Sequence, residues 1–189
     1  MTIVQVMADH DRDEIIVRAT EQAQIRELLA PFDVHIEQWD TRELGTGAGE
    51  DEVLAAYRPE VEKICAAEGF TVVDVVRMVP DPGNPEWRAK ADAARTKFLD
   101  EHRHGEYEVR FFVEGKGCFY LHLGERIYAV VCEQGDLISV PAGTTHWFDM
   151  GEEPQFCAIR FFEEEDGWVG DFTGSDIARR MPTLDELVA

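Results

Sequence analysis

The spacing of hydrophobic and polar residues divides the chain into a first half of mixed helix and strand and a second half of short strands. In the first half, apolar residues recur at helical spacing over 20–29, 50–68 and 85–100. Strand-like alternation or valine-rich runs occupy 2–7, 34–39 and 70–79. Thr20 is the expected N-cap of the first helix, and Gly69 is expected to end the second.

From about residue 102 the pattern changes to short apolar runs separated by turns that contain glycine or proline. The predicted strands are 108–113, 118–123, 127–132, 137–140, 146–150 and 156–162. Short strands at such regular spacing predict a closed antiparallel barrel or jelly roll. We therefore expect a mainly β single domain over 1–189: a mixed α/β elaboration (1–97) that contributes strands, a barrel core (98–174) and a polar tail (175–189) with a short helical pattern.

Composition narrows the classes of partner. The 189 residues carry a formal net charge of −21, which repels phosphate backbones and anionic lipid, so neither nucleic acid nor a membrane is an expected partner. The start of the chain does not resemble a signal peptide, and no apolar run approaches a membrane span. The four cysteines form no C-x-x-C pair. A cytoplasmic monomer with reduced thiols is the expectation.

Candidate chemistry is concentrated in the segment that opens the barrel. His102, His104 and Glu108 share the parity of an extended strand, which would place all three side chains on one face. His146 follows a Pro-Ala-Gly-Thr turn that would begin a new strand and deliver a further imidazole. Three imidazoles and a carboxylate suit iron, nickel, manganese or cobalt. The alternative is ordinary surface or core histidines, because an H-x-H pair alone is weak; His10, His35 and His122 receive that interpretation.

The spacings around these residues resemble the two cupin motifs. They are His102-x-His104-x3-Glu108-x6-Gly115 and Gly135-x5-Pro141-x-Gly143-x2-His146. More specifically, the chain resembles the acireductone dioxygenase family of the methionine salvage pathway. That resemblance lies in FLDEHRHGEYEVRFFVEG (98–115), DLISVPAGTTHWFDMG (136–151), AIRFF (158–162) and the Gly167-Trp168 pair.

The resemblance implies a cupin barrel that holds one Fe(II) or Ni(II) per chain through His102, His104, Glu108 and His146. The implied substrates are 1,2-dihydroxy-5-(methylthio)pent-1-en-3-one, an acireductone, and dioxygen. With iron the implied products are 4-methylthio-2-oxobutanoate and formate. With nickel they are 3-methylthiopropionate, formate and carbon monoxide. Other cupin functions remain open on the residues alone: an oxalate decarboxylase, a sugar-phosphate isomerase or a non-enzymatic metal-binding protein.

The same resemblance assigns roles around the metal. Arg110, on the ligand face, is the expected catalytic residue that helps form the substrate dianion. The expected substrate-binding residues are Phe98, Phe148, Arg160 and Trp168. Glu101 and Tyr107, which flank the ligands, are expected to take part in metal loading or in relaying local conformational change. The alternatives are an Arg110 salt bridge to Glu106 or Glu114, a structural ion pair for Arg160, and plain core packing for the aromatic residues.

Overall fold

The computed structural model describes residues 1–45, 47–81, 83–164 and 169–189. The strands that these residues form are β1 Ile3–Ala8, β2 Asp11–Ala19, β3 His35–Gln38, β4 Val72–Met78, β5 His102–Arg103, β6 Glu108–Leu123, β7 Arg126–Glu133, β8 Asp136–Val140, β9 His146–Asp149, β10 Phe156–Phe162 and β11 Asp171–Phe172. The α-helices are α1 Gln22–Leu29, α2 Glu50–Ala56, α3 Arg58–Glu68, α4 Pro85–Leu99 and α5 Leu184–Val188.

Two antiparallel sheets share the long strand β6, which confirms the prediction of a mainly β antiparallel barrel. The first sheet has the order β11-β5-β9-β6-β7-β1-β2, and the second has the order β4-β10-β6-β8-β3. The first half of β6 pairs with β8 and β10, whereas its second half pairs with β7 and β9. Strand β8 therefore ends opposite Glu108, where β6 begins, and β9 begins opposite Leu121, near the end of β6.

The prediction of separate strands over 108–113 and 118–123 was wrong, because the chain passes through this region as one strand with a bulge. Opposite β10, Cys157 pairs with Glu114 and Ala158 with Phe112, so Val113 is an extra residue. Gly115 adopts a φ of 70°, and a β-carbon there would overlap the backbone of β10. In β6, the extra residue changes which side of the strand each later side chain lies on. Even-numbered residues face the core between the two sheets before the bulge, and odd-numbered residues face it after the bulge.

Two further predictions in the first half need correction. The helix predicted over 50–68 is divided at Tyr57, because Pro59 has no N–H to continue the hydrogen-bond ladder. Thr20 does not cap α1: Glu21 occupies the N-cap position without a side-chain cap bond. Strand β2 escaped prediction because most of its residues are solvent-exposed and show no apolar alternation. The end of α3 at Gly69, with a φ of 83°, is confirmed.

Apolar side chains fill three layers: one between the sheets and one on the outer face of each sheet. Residues of α2 and α3 cover the second sheet. The outer face of the first sheet is covered by the tail, where Ile177, Met181, Leu184 and Leu187 pack in one cluster with Tyr120 and Trp147. The tail is thus part of the core. Cys118, Cys132 and Cys157 are buried free thiols.

Candidate metal centre

Three histidines converge where β5 and β9 meet. His102 on β5 pairs directly with His146 on β9. His104 lies just after β5 and is held there by a hydrogen bond from the backbone N–H of Gly143 to its carbonyl oxygen, at 2.8 Å. All three side chains are buried, and one ring nitrogen from each lies within 4.8 Å of the others. The structure therefore brings together the three imidazoles that the sequence predicted.

Hydrogen bonds to backbone carbonyl oxygens fix the tautomer of all three imidazoles. The Nδ1 atoms of His102, His104 and His146 lie 2.7–2.8 Å from the carbonyl oxygens of Asp100, Glu106 and Thr144. Because a carbonyl oxygen can only accept a hydrogen bond, each Nδ1 carries the proton, and in a neutral ring Nε2 keeps its lone pair. Metal-ligating histidines are typically oriented in this way by their other ring nitrogen.

Glu108, the first residue of β6, completes the constellation. Its Oε2 lies 3.1 Å from Nε2 of His104, and that buried nitrogen has no hydrogen-bond partner among the described residues. A carboxylate oxygen and an imidazole lone pair are both acceptors, so their approach in a buried space is unfavourable unless a cation lies close to both. This unsatisfied nitrogen is the feature of the structure that fits a divalent metal.

The ionisation states also suit a metal. Burial lowers the pKa of His102, and it lowers the pKa of His146 to about 4, so both rings are neutral near pH 7. Burial alone would raise the pKa of Glu108, but that pKa is lowered to about 2, chiefly by the adjacent Arg110 guanidinium. Neutral imidazole and ionised carboxylate are the forms that bind metal ions.

The expectation that His102, His104 and Glu108 share one extended segment was wrong. Strand β5 ends at Arg103, and the chain bends through Gly105 and Glu106 before β6 begins. Convergence arises instead from the bend and from pairing with β8 and β9.

Arg110 lies beside the metal site, on the same face of β6 as Glu108. Its Nη2 is 2.5 Å from Glu108 Oε1, and its guanidinium carbon is 5.3 Å from the ring centroid of Phe162. The alternative pairing with Glu106 or Glu114 is not what the structure shows, because Glu114 is held by Arg77 at 2.7 Å. Arg110 is buried, so its charge acts in a low-dielectric environment.

Arg160 lies in the cavity wall and also forms an ion pair, two arrangements that the sequence left as alternatives. It lines the same cavity as Glu108 and Arg110, and it also pairs with Asp74 on β4, with Nε 2.7 Å from Oδ1. Its guanidinium carbon lies 5.3 Å from the centroid of the Phe162 ring that Arg110 also contacts.

A largely apolar cavity of about 90 Å³ adjoins the carboxylate and the two arginines. Phe98 from α4 and Phe148 from β9, two of the expected substrate-binding residues, both line it. Its remaining apolar lining comes from Val76, Met78, Ala94, Phe112, Phe119, Met150, Phe156 and Ala158. Helix α4 is tied to β9 by an ion pair between Arg95 and the buried Asp149, at 2.8 Å. Trp168 lies outside the described residues.

The flanking residue Glu101 belongs to a polar network that the sequence did not reveal. Its carboxylate accepts hydrogen bonds from His122 Nδ1 and Thr173 Oγ1, both at 2.6 Å. His122, which the sequence analysis interpreted as a structural histidine, therefore holds Glu101, the residue that precedes His102. No spacing could have signalled this, since the pair is separated by 21 positions. Tyr107 lies at the surface and is 36% exposed.

Residues 4–170 match the family model described as the ARD/ARD' family. The chain belongs to this family. It is 65% identical over 188 residues to "Acireductone dioxygenase 1" of Nocardia farcinica, covering all of both chains. It is 49% identical over 189 residues to an acireductone dioxygenase of Saccharopolyspora erythraea, covering all of this chain and 99% of the relative.

A solved structure with a similar fold is described as "Acireductone dioxygenase from Bacillus anthracis with cadmium ion in active center". It is 26% identical, with a TM-score of 0.74, and the match covers 91% of this chain and 98% of that chain. Within the residues that the structure describes, no helix has the length and hydropathy needed to cross a membrane. Membership of the ARD/ARD' family agrees with the resemblance drawn from the ligand motifs.

Proposed function

We propose that this chain is a metal-dependent dioxygenase that cleaves 1,2-dihydroxy-5-(methylthio)pent-1-en-3-one with dioxygen in methionine salvage. One Fe(II) or Ni(II) would be held by His102, His104, Glu108 and His146. The observation that carries the proposal is the buried, unsatisfied Nε2 of His104 facing the carboxylate of Glu108, beside two further imidazoles. Family membership and the cadmium in the active centre of the Bacillus anthracis relative support it.

The donor set suits the proposed chemistry. Four protein ligands leave two of the six positions of an octahedral ion for a chelating enediolate. When bound, the metal supplies Lewis acidity that lowers the pKa of the enediol hydroxyls. Both iron and nickel accept mixed nitrogen and oxygen ligands, so supply in the cell rather than the ligand set would decide which one is bound.

The residues around the ligands would bind and orient the substrate. The buried Arg110 guanidinium stays charged and would stabilise the negative charge of the enediolate oxygens, which is worth most where water is excluded. The cavity lined by Phe98 and Phe148 would bind the methylthioalkyl tail through apolar burial. Arg160, fixed by Asp74, would keep a second positive charge at the cavity. The proposed partners are thus the substrate and dioxygen, with the chain acting as a monomer.

Metal exchange tests the proposal. The protein is stripped of metal, separate samples are reloaded with Fe(II) or Ni(II), and products are identified after reaction with the acireductone in oxygen. We expect both forms to consume substrate and oxygen, and carbon monoxide to appear only with nickel. Identical products from the two forms, at verified metal content, would reject the dual chemistry. Failure of both forms to exceed metal-free protein would reject the dioxygenase itself.

A further inference from the structure

The ring of Phe148, which lines the cavity, rests on a position without a side chain. A β-carbon built on Gly117 would lie 2.6 Å from Phe148 Cε2, closer still to its Cζ, and 3.3 Å from Phe112 Cε1. The rings of Phe119 and Phe156 also contact Phe148, with centroids 4.8 Å and 6.0 Å away. The Phe148 ring can therefore lie against β6 only because residue 117 is glycine.

We propose that Gly117 is a specificity-determining residue that sets the depth of the cavity and hence the length of apolar tail that a metal-chelating substrate can carry. The identity of that substrate rests on the proposed function. The cavity holds about 90 Å³, and one water-sized group needs roughly 10–15 Å³, so a short chain fits. The methylthioalkyl tail, with four heavy atoms beyond the carbonyl carbon, is of this size.

A methyl group at residue 117 would shift the ring into the cavity. The β-carbon is directed at Phe112 and Phe148, which both line the cavity, so relief of the overlap moves the ring tip away from the strand. Only a side-chain tip must move, and the fold can absorb that shift. Gly115 differs, because a β-carbon there would overlap the carbonyl oxygen of Gln155 and lie 2.7 Å from the α-carbon of Phe156.

Alkyl hydroxamates of increasing length test this without turnover, because they chelate metals through two oxygens. Their affinity for nickel-loaded wild-type protein and for the Gly117→Ala variant is measured by calorimetry, from acetohydroxamate to hexanohydroxamate. Wild-type affinity should rise about fourfold per buried methylene until the cavity is full. We expect Gly117→Ala to bind acetohydroxamate like wild type. We expect it to bind the best wild-type ligand at least about tenfold more weakly, since roughly two methylene groups can no longer be buried in the cavity.

Two variants sharpen the result. In Gly49→Ala the new β-carbon meets nothing within 4 Å, so its profile should follow wild type. Adding Phe148→Leu to Gly117→Ala should restore the rise with chain length. The proposal would be overturned if Gly117→Ala lost affinity equally for hydroxamates of every length or lost none for any of them. It would also be overturned if wild-type affinity did not depend on chain length. Oxygen uptake with the acireductone, measured on the same preparations, reports separately on the proposed function.

Discussion

Replacing His104 with alanine is expected to abolish both metal binding and oxygen consumption. Loss of an outer-shell partner typically weakens metal binding by about 10–100-fold, so loss of a ligand should weaken it by about 100-fold or more. Metal should raise the melting temperature of wild-type protein, because it binds the folded state, and should leave that of the variant unchanged. Metal analysis and a thermal scan with and without Ni(II) measure both effects.

His35→Ala provides the control, since His35 is exposed and its side chain pairs with nearby Asp33 at 3.0 Å. It should keep one metal ion per chain and the full thermal response. If His104→Ala also kept both, the unsatisfied Nε2 would need another explanation and the ligand assignment would be wrong.

Replacing Arg110 with alanine is expected to lower turnover by about 100-fold or more, which is the usual cost of losing an oxyanion-stabilising donor. The reason is the burial of this guanidinium next to Glu108 and the cavity. The metal content should stay near one ion per chain. Arg110→Lys should recover only part of the activity, because an ammonium lacks the planar two-pronged donor geometry. Steady-state kinetics with parallel metal analysis separates the two quantities.

Arg77→Ala is the matched control, because Arg77 also pairs with a glutamate of β6, Glu114, but does not line the cavity. It should retain near-wild-type turnover. Loss of metal in Arg110→Ala in proportion to the loss of turnover would show that Arg110 acts by holding Glu108 rather than by stabilising the substrate.

The barrel and the convergence of three histidines beside Glu108 were predictable because each leaves a local signature. Turn residues punctuate the short strands, and the two motif spacings mark the histidines and Glu108. The bulge at Val113 was not predictable, since a single extra residue reverses later facing without any change in apolar content. The same holds for the pairing of Glu101 with His122, which depends on tertiary proximity alone.

The role of the tail was missed for a different reason. Residues 175–189 are polar on average, but four of their apolar residues, Ile177, Met181, Leu184 and Leu187, are buried against the outer face of the first sheet. Burial of so few side chains is decided by what lies opposite, here Tyr120 and Trp147, and not by the local pattern.

The most direct test of the central claim is to follow oxygen-18 from labelled dioxygen during turnover of the acireductone by metal-loaded protein. The substrate is prepared without oxygen, and metal-free protein serves as the background. A dioxygenase that uses His102, His104, Glu108 and His146 as ligands should place both labelled atoms in the organic products, above that background. Label recovered in water or hydrogen peroxide, or equal labelling with metal-free protein, would contradict the claim.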